Sequence, residues 1–359
     1  MSGIDPEIRR AQEQYVRRPT RPRRRLGRRL AGLTVFLGVV VAVVVVVVAT
    51  LHLHPFGTPA RTRTAPPPTG PTKQPAPPHR VGLATTSVGL LSAPLSRMAA
   101  VPYGTGGVLL MGGFDAAGAP TDAVQNFQGA SVTSAGTLQI STGSAVAAVL
   151  AGDVYLFGGE SSTIYQLSGS SFEIAGNLPA ATADAAIATV GDTAYVIGGY
   201  SGATELNTIV AFTPGAPPQI VATLPVTLRY ATAIALGGEV YVIGGATAAV
   251  PTDTVYRFDP TTKAVTSFTT LPHARDREAA ATLAGRIYVI GGESAAGTRS
   301  RAIYSINPAT GAVGLAGILP VALADASAVK SAGAIVVAGG TGSSGAPLAS
   351  IYQIKRTVS

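Results

Sequence analysis

The sequence predicts an all-β body of six repeated four-stranded units, carried behind a single membrane-spanning helix and a proline-rich linker. Three observations lead there. Between residues 81 and 359, six short apolar runs each end in Gly-Gly, and successive pairs lie 46, 40, 46, 47 and 48 residues apart. The chain of 359 residues is 47% hydrophobic and 12% charged, with 43 Gly and 26 Pro but no Trp and no Cys. So apolar and weakly charged a composition excludes a disordered protein, and abundant Gly among β-branched residues favours strands over helices. The third observation is a run of 22 residues, Leu30 to Leu51, without a charge.

The N-terminal segments follow in order. Residues 1–29 hold ten arginines against Asp5, Glu7 and Glu13, a net +7, and are expected to form a cytoplasmic tail. Residues 30–51 are long enough, at ~1.5 Å per residue, to cross a ~30 Å hydrocarbon core as a helix. Valine favours a strand in water. In lipid the backbone must satisfy its own hydrogen bonds, and a single span becomes helical. The arginines on its N-terminal side put the N-terminus inside and everything after residue 51 outside the cell membrane. The rival reading is a cleaved signal peptide, whose apolar core is shorter, ~7–15 residues, with a small-residue cleavage site; Ala49-Thr50-Leu51 is a poor match. Residues 52–80 carry nine prolines among Thr, Ala and Gly. Such density cannot support a helix or a strand ladder, and a semi-rigid polyproline spacer is expected.

Residues 81–359 carry the repeats. The diglycines are Gly112-Gly113, Gly158-Gly159, Gly198-Gly199, Gly244-Gly245, Gly291-Gly292 and Gly339-Gly340. Tyrosine stands three residues before four of them, at 155, 195, 241 and 288. A Leu-Pro pair stands twenty residues before four of them, at Leu178, Leu224, Leu271 and Leu319. A further strand motif follows, as in Thr254-Val-Tyr-Arg-Phe258 and Ser350-Ile-Tyr-Gln-Ile354, and Asp259-Pro and Asn307-Pro mark tight turns. This pattern resembles the kelch repeat, in a chain similar to the galactose-oxidase central domain but of a membrane-anchored bacterial type. The resemblance covers 81–359 and implies a six-bladed β-propeller. It departs from the family in lacking the tryptophan late in each repeat; Phe172, Val265 and Val313 stand near that place, and smaller aliphatic residues are expected to pack the blades. One strand only follows the last diglycine. Val81–Leu91 is therefore expected to complete the last blade and close the ring.

The candidate site follows from strand direction. The loop entering the innermost strand and the loop after each diglycine share one face, beside the central channel. That face is expected to collect Arg97, Asp115, Glu160, Asp184, Arg229, Asp276, Arg277, Glu293 and Asp325, nine of the 27 charged residues between 81 and 359, with Tyr200 and Tyr230 beside them. Arginine, carboxylate and tyrosine together suit a polyol, a charged glycan or a peptide loop, and equally suit ion pairs between neighbouring blades.

Several functions are excluded. Residues 81–359 carry twelve Lys/Arg and fifteen Asp/Glu, a net −3, so the body offers no nucleic-acid surface. Without cysteine there is no disulfide, thiolate zinc site or cysteine nucleophile, and with His273 alone in the body no metal or other cofactor is expected. A copper oxidase of the galactose-oxidase type needs more than one histidine and a Cys–Tyr crosslink, which excludes it. The expectation is a membrane-tethered module binding envelope glycan or a protein partner. The alternatives are a cofactor-free sugar epimerase or mutarotase of the kelch type, needing only an acid/base pair, and an extracytoplasmic sensor.

Overall fold

The computed structural model describes residues 81–169 and 171–358. The arginine-rich tail, the apolar span and the proline-rich linker lie outside the described residues. Within them the protein is an all-β propeller, built only of strands, bridges and turns.

The strands run β1 (Val81–Leu95), then β2 (Ala99–Tyr103), β3 (Gly107–Met111), β4 (Thr121–Gln128) and β5 (Ser131–Thr142) in the first repeat. The second repeat holds β6 (Ala145–Leu150), β7 (Asp153–Gly158), β8 (Ser161–Ser168) and β9 (Ser171–Thr182). The third holds β10 (Ala186–Val190), β11 (Thr193–Ile197), β12 (Thr208–Phe212) and β13 (Gln219–Thr223). In the fourth, β14 (Thr232–Leu236), β15 (Glu239–Ile243), the two-residue β16 (Ala246–Thr247) and β17 (Val250–Phe258) lead into the long β18 (Val265–Leu283). Then come β19 (Arg286–Glu293), β20 (Ser300–Ile306) and β21 (Val313–Leu323), and finally β22 (Ser327–Ser331), β23 (Ala334–Ala338) and β24 (Leu348–Val358).

All pairings are antiparallel, and every repeat but the last places its strands in chain order from the hub outward. Six separate sheets were expected; the pairing differs. Four sheets stand alone with four strands each, while the fourth and fifth repeats share an eight-stranded sheet. The cause is β18. It pairs with β17 up to Arg275 and with β19 from Asp276 onward, so the chain passes from rim to hub without the break made elsewhere. The ring closes as the sequence predicts: β1 pairs with β24 in the order β1-β24-β23-β22, with Gly82 opposite Thr357 and Ser87 opposite Tyr352.

Strand composition follows position. The inner strands are rich in alanine because the hub is crowded; those of successive repeats lie side by side around it, and β2 meets β22 to complete the circle. The next strands out, such as Gly107–Met111 and Ala334–Ala338, are buried along their whole length and read as unbroken apolar runs. The rim strands expose most of their residues, yet Leu178, Leu224, Leu271 and Leu319 turn inward and are buried while the following prolines are exposed. A proline on a rim strand has no ladder partner to lose.

The core is divided into apolar clusters between neighbouring repeats, one joining the last repeat to the first through Leu91, Met98, Phe127 and Val336. Aromatic residues do more of the packing than the missing tryptophan led one to expect. Tyr155 of the second repeat meets Phe212 of the third edge-on at 5.5 Å, and Tyr195 of the third meets Phe258 of the fourth at 5.3 Å. Such pairs contribute ~0.5–1.5 kcal/mol beyond area burial. Phe172 is buried in the cluster between the first two repeats, near the place the tryptophan would take.

Candidate functional site: the channel mouth

The diglycines hold this face together. At Gly291 φ is +73°, and an added Cβ would stand 2.2 Å from the carbonyl oxygen of Leu323, at the end of the same repeat's rim strand. Only glycine lets the end of the second strand approach its neighbour so closely.

The entry to each inner strand has the opposite character. Arg97, Ser144, Asp184, Tyr230, Arg277 and Asp325 occupy equivalent places and all take left-handed backbone, with φ between 52° and 58°. Five main-chain hydrogen bonds link all six in a chain around the mouth. The amide of Arg97 donates to the carbonyl of Asp325, Asp325 to Arg277, Arg277 to Tyr230, Tyr230 to Asp184 and Asp184 to Ser144, at 2.9–3.2 Å. The residue one place earlier forms a bridge to the loop after the diglycine, as in Ala183 with Tyr200 and Arg229 with Ala246. The circle aims its six side chains at the mouth of the channel.

There the sequence-predicted residues divide. Arg97, Asp184, Arg229, Tyr230, Asp276, Arg277 and Asp325 come together. The Arg97 guanidinium donates from Nε to Asp325 at 3.0 Å and reaches Asp184, two repeats away, at 3.5 Å. Arg229 donates to the other oxygen of Asp184 and to the Tyr230 hydroxyl. Arg277 bonds both oxygens of Asp276 at 3.2 Å and lies 3.4 Å from Asp325. The guanidiniums of Arg97, Arg229 and Arg277 stand 5.0, 4.2 and 3.9 Å from the centre of the Tyr230 ring, and Tyr200 lies 4.5 Å from that of Arg229. Pairing between repeats and a place at the mouth are therefore properties of the same arginines.

The others point elsewhere. Asp115 uses Oδ1 to accept from the amides of Ala117 and Ala119, holding its own loop. Glu293 pairs with Arg299 at 2.9 Å, and Arg299 also donates to Thr341. Glu160 is exposed in the loop after the second diglycine.

Burial and charge set the protonation states. Burial pulls the guanidiniums of Arg97 and Arg277 down, but their aspartates outweigh it and hold both above the ordinary arginine value. Burial raises Asp276, with the charges of Glu293 and Asp325 adding to it against Arg277.

One residue went unnoticed in the sequence. Glu278 stands one place after Arg277, where the other repeats have Met98, Ala145, Ala185, Ala231 and Ala326. Comparison of the repeats at that column would have found it. Its carboxyl is buried against Gly244 and Gly292, neither oxygen has a hydrogen-bond partner, and burial pushes it up to about 8. It stays a neutral acid at pH 7.

Two spaces that share lining residues lie here. A mouth cavity of about 140 Å³ is bordered by Arg97, Ser144, Asp184, Tyr230, Arg277 and Asp325. Behind it the channel between the inner strands holds about 430 Å³ and is lined mainly by alanine and valine, with Glu278 and Lys330 among its borders. No group of three or more His, Asp or Glu among the described residues is placed to hold a metal ion.

Comparison with known proteins agrees with this architecture. The Kelch motif matches residues 227–272, which run from Thr227 through the fourth diglycine to Pro272. No curated protein matches the chain. A solved structure of YjhT, a kelch-type propeller, superposes with a TM-score of 0.65 at 15% identity, covering 75% of this chain and 99% of that one. At that identity the likeness concerns the fold alone, and what the chain carries is a Kelch motif within an all-β propeller.

Proposed function

We propose that residues 81–359 are a six-bladed propeller of kelch type, tethered outside the cell membrane by residues 30–51, whose mouth binds envelope glycan or a partner protein. The eight-stranded sheet counts as two blades because β18 changes partner between Arg275 and Asp276. The observation that carries the binding role is the circle of left-handed residues. Such backbone costs roughly 1–2 kcal/mol at each non-glycine position, so glycine would serve all six places better if only the turn mattered. Four of the six residues are instead charged.

A cofactor-free epimerase or mutarotase is the second reading, favoured by the neutral acid at Glu278 bordering both cavities. The test is a glycan array and a pull-down with the full-length chain in non-ionic detergent, beside NMR measurement of anomer and epimer exchange in any sugar it retains. Binding lost on Tyr230→Ala, in protein that still melts cooperatively, supports the binding role. Exchange faster than in buffer and removed by Glu278→Gln supports the enzyme. Binding untouched by changes at the mouth overturns both.

A further inference from the structure

We infer that the mouth is a receptor for one carboxylate group of an acidic ligand of monosaccharide size. This rests on the proposed mouth site and names its ligand class. The charges there are layered. Arg97, Arg229 and Arg277 keep 27%, 23% and 20% of their side-chain surface exposed, whereas Asp184, Asp325 and Asp276 keep 5%, 8% and 7%. The aspartates form a floor and the guanidiniums the surface that an incoming molecule meets.

The guanidiniums are held in place yet largely unspent. Each carries five N–H donors. Arg97 spends two on aspartates, Arg229 spends its bonds from one terminal nitrogen, and Arg277 spends one terminal nitrogen on Asp276 while its Nε lies 3.4 Å from Asp325. The Nε of Arg229 is buried without any acceptor. Stacking on Tyr230 and Tyr200 fixes the planes, so an arriving acceptor loses little to their ordering.

An anion therefore gains donors without breaking an existing bond. A cation would have to displace arginine from aspartate. The layering also selects among anions. Three arginines over three aspartates leave an outward positive pole with little net charge, which suits a single negative charge better than the double charge of a phosphate monoester. A cavity of about 140 Å³ admits one ring-sized group.

The test titrates the full-length chain, in non-ionic detergent, with four matched sugars: glucuronate, glucose, glucosamine and glucose 6-phosphate. Glucuronate is expected to bind most tightly, more weakly as salt rises. Arg277→Gln should weaken it roughly tenfold or more, while Arg286→Gln at the exposed start of β19 leaves it unchanged. If Arg277→Gln does not fold, Arg277→Lys, which keeps the charge but loses the planar fork, must show the same weakening with an unchanged melting curve. Glucose binding as well as glucuronate overturns the carboxylate and leaves a polyol-binding mouth. Tighter binding of glucosamine or glucose 6-phosphate overturns it too, as does no binding of any sugar in the millimolar range. In that last case a glycan or protein still captured through Tyr230 would leave the broader binding role intact.

Discussion

Glu278 and Gly291 illustrate how single residues govern this hub. Glu278 is held up to about 8 when folded, against an ordinary glutamate value near 4.3 when unfolded. Its raised value makes the folded state bind the proton more tightly. The stabilisation is thus complete below the unfolded value and is lost as pH rises through about 8. Asp276 adds to the shift and Arg275 opposes it. The melting temperature should fall between about pH 5 and pH 8, and Glu278→Gln, neutral at every pH, should flatten that fall. A variant retaining the full pH slope would place its origin elsewhere. At Gly291 the methyl of alanine meets the Leu323 carbonyl at 2.2 Å in a left-handed backbone. Gly291→Ala should therefore cost about 1–2 kcal/mol from the backbone alone, with the collision adding to it. At roughly 2–4 °C per kcal/mol, thermal melting resolves the loss.

Among the elements, β1 and β18 bear the ring's continuity. β1 supplies the rim strand of the last sheet, and Leu91 and Leu95 enter the cluster that joins the last repeat to the first. Removing residues 81–91 strips β24 of its outer partner and exposes its edge. Both that truncation and loss of 349–359 should lower the melting temperature of the whole domain in one cooperative step. A truncated chain melting like the intact one would show another means of closure. β18 matters differently: a break at Arg275 would separate the shared sheet without removing a core residue. Arg275→Pro removes an amide at the point where Thr252 pairs with Arg275, and is expected to destabilise less than the loss of β1.

For the whole molecule the expectation is topological. With residues 1–29 inside and the propeller outside, protease added to intact cells should remove the propeller and spare the tail. A protected propeller would reverse the orientation, and a secreted product beginning near residue 50 would favour the cleaved signal peptide.

The repeat was legible in the sequence because it is written in residues that only one backbone tolerates. The diglycines, the Leu-Pro pairs and the apolar second strands are local signals, and they led to the all-β propeller, while the single strand after the last diglycine led to closure by residues 81–91. The mouth was legible in part, since equal spacing put Arg97, Asp184, Arg229, Tyr230, Arg277 and Asp325 on one face. Spacing alone also placed Asp115, Glu160 and Glu293 there, because it cannot tell a side chain aimed at the axis from one that holds its own loop or pairs with Arg299. Three facts needed the third dimension. β18 runs unbroken because Asp276 takes up Glu293 as soon as Arg275 leaves Thr252. Glu278 is a neutral acid because Gly244 and Gly292 close around it without offering a hydrogen bond. The arginines lie above the aspartates because a ring brings residues more than two hundred positions apart, such as Arg97 and Asp325, within 3.0 Å. Local backbone rules determine the repeat, and circular closure decides which of its charges meet.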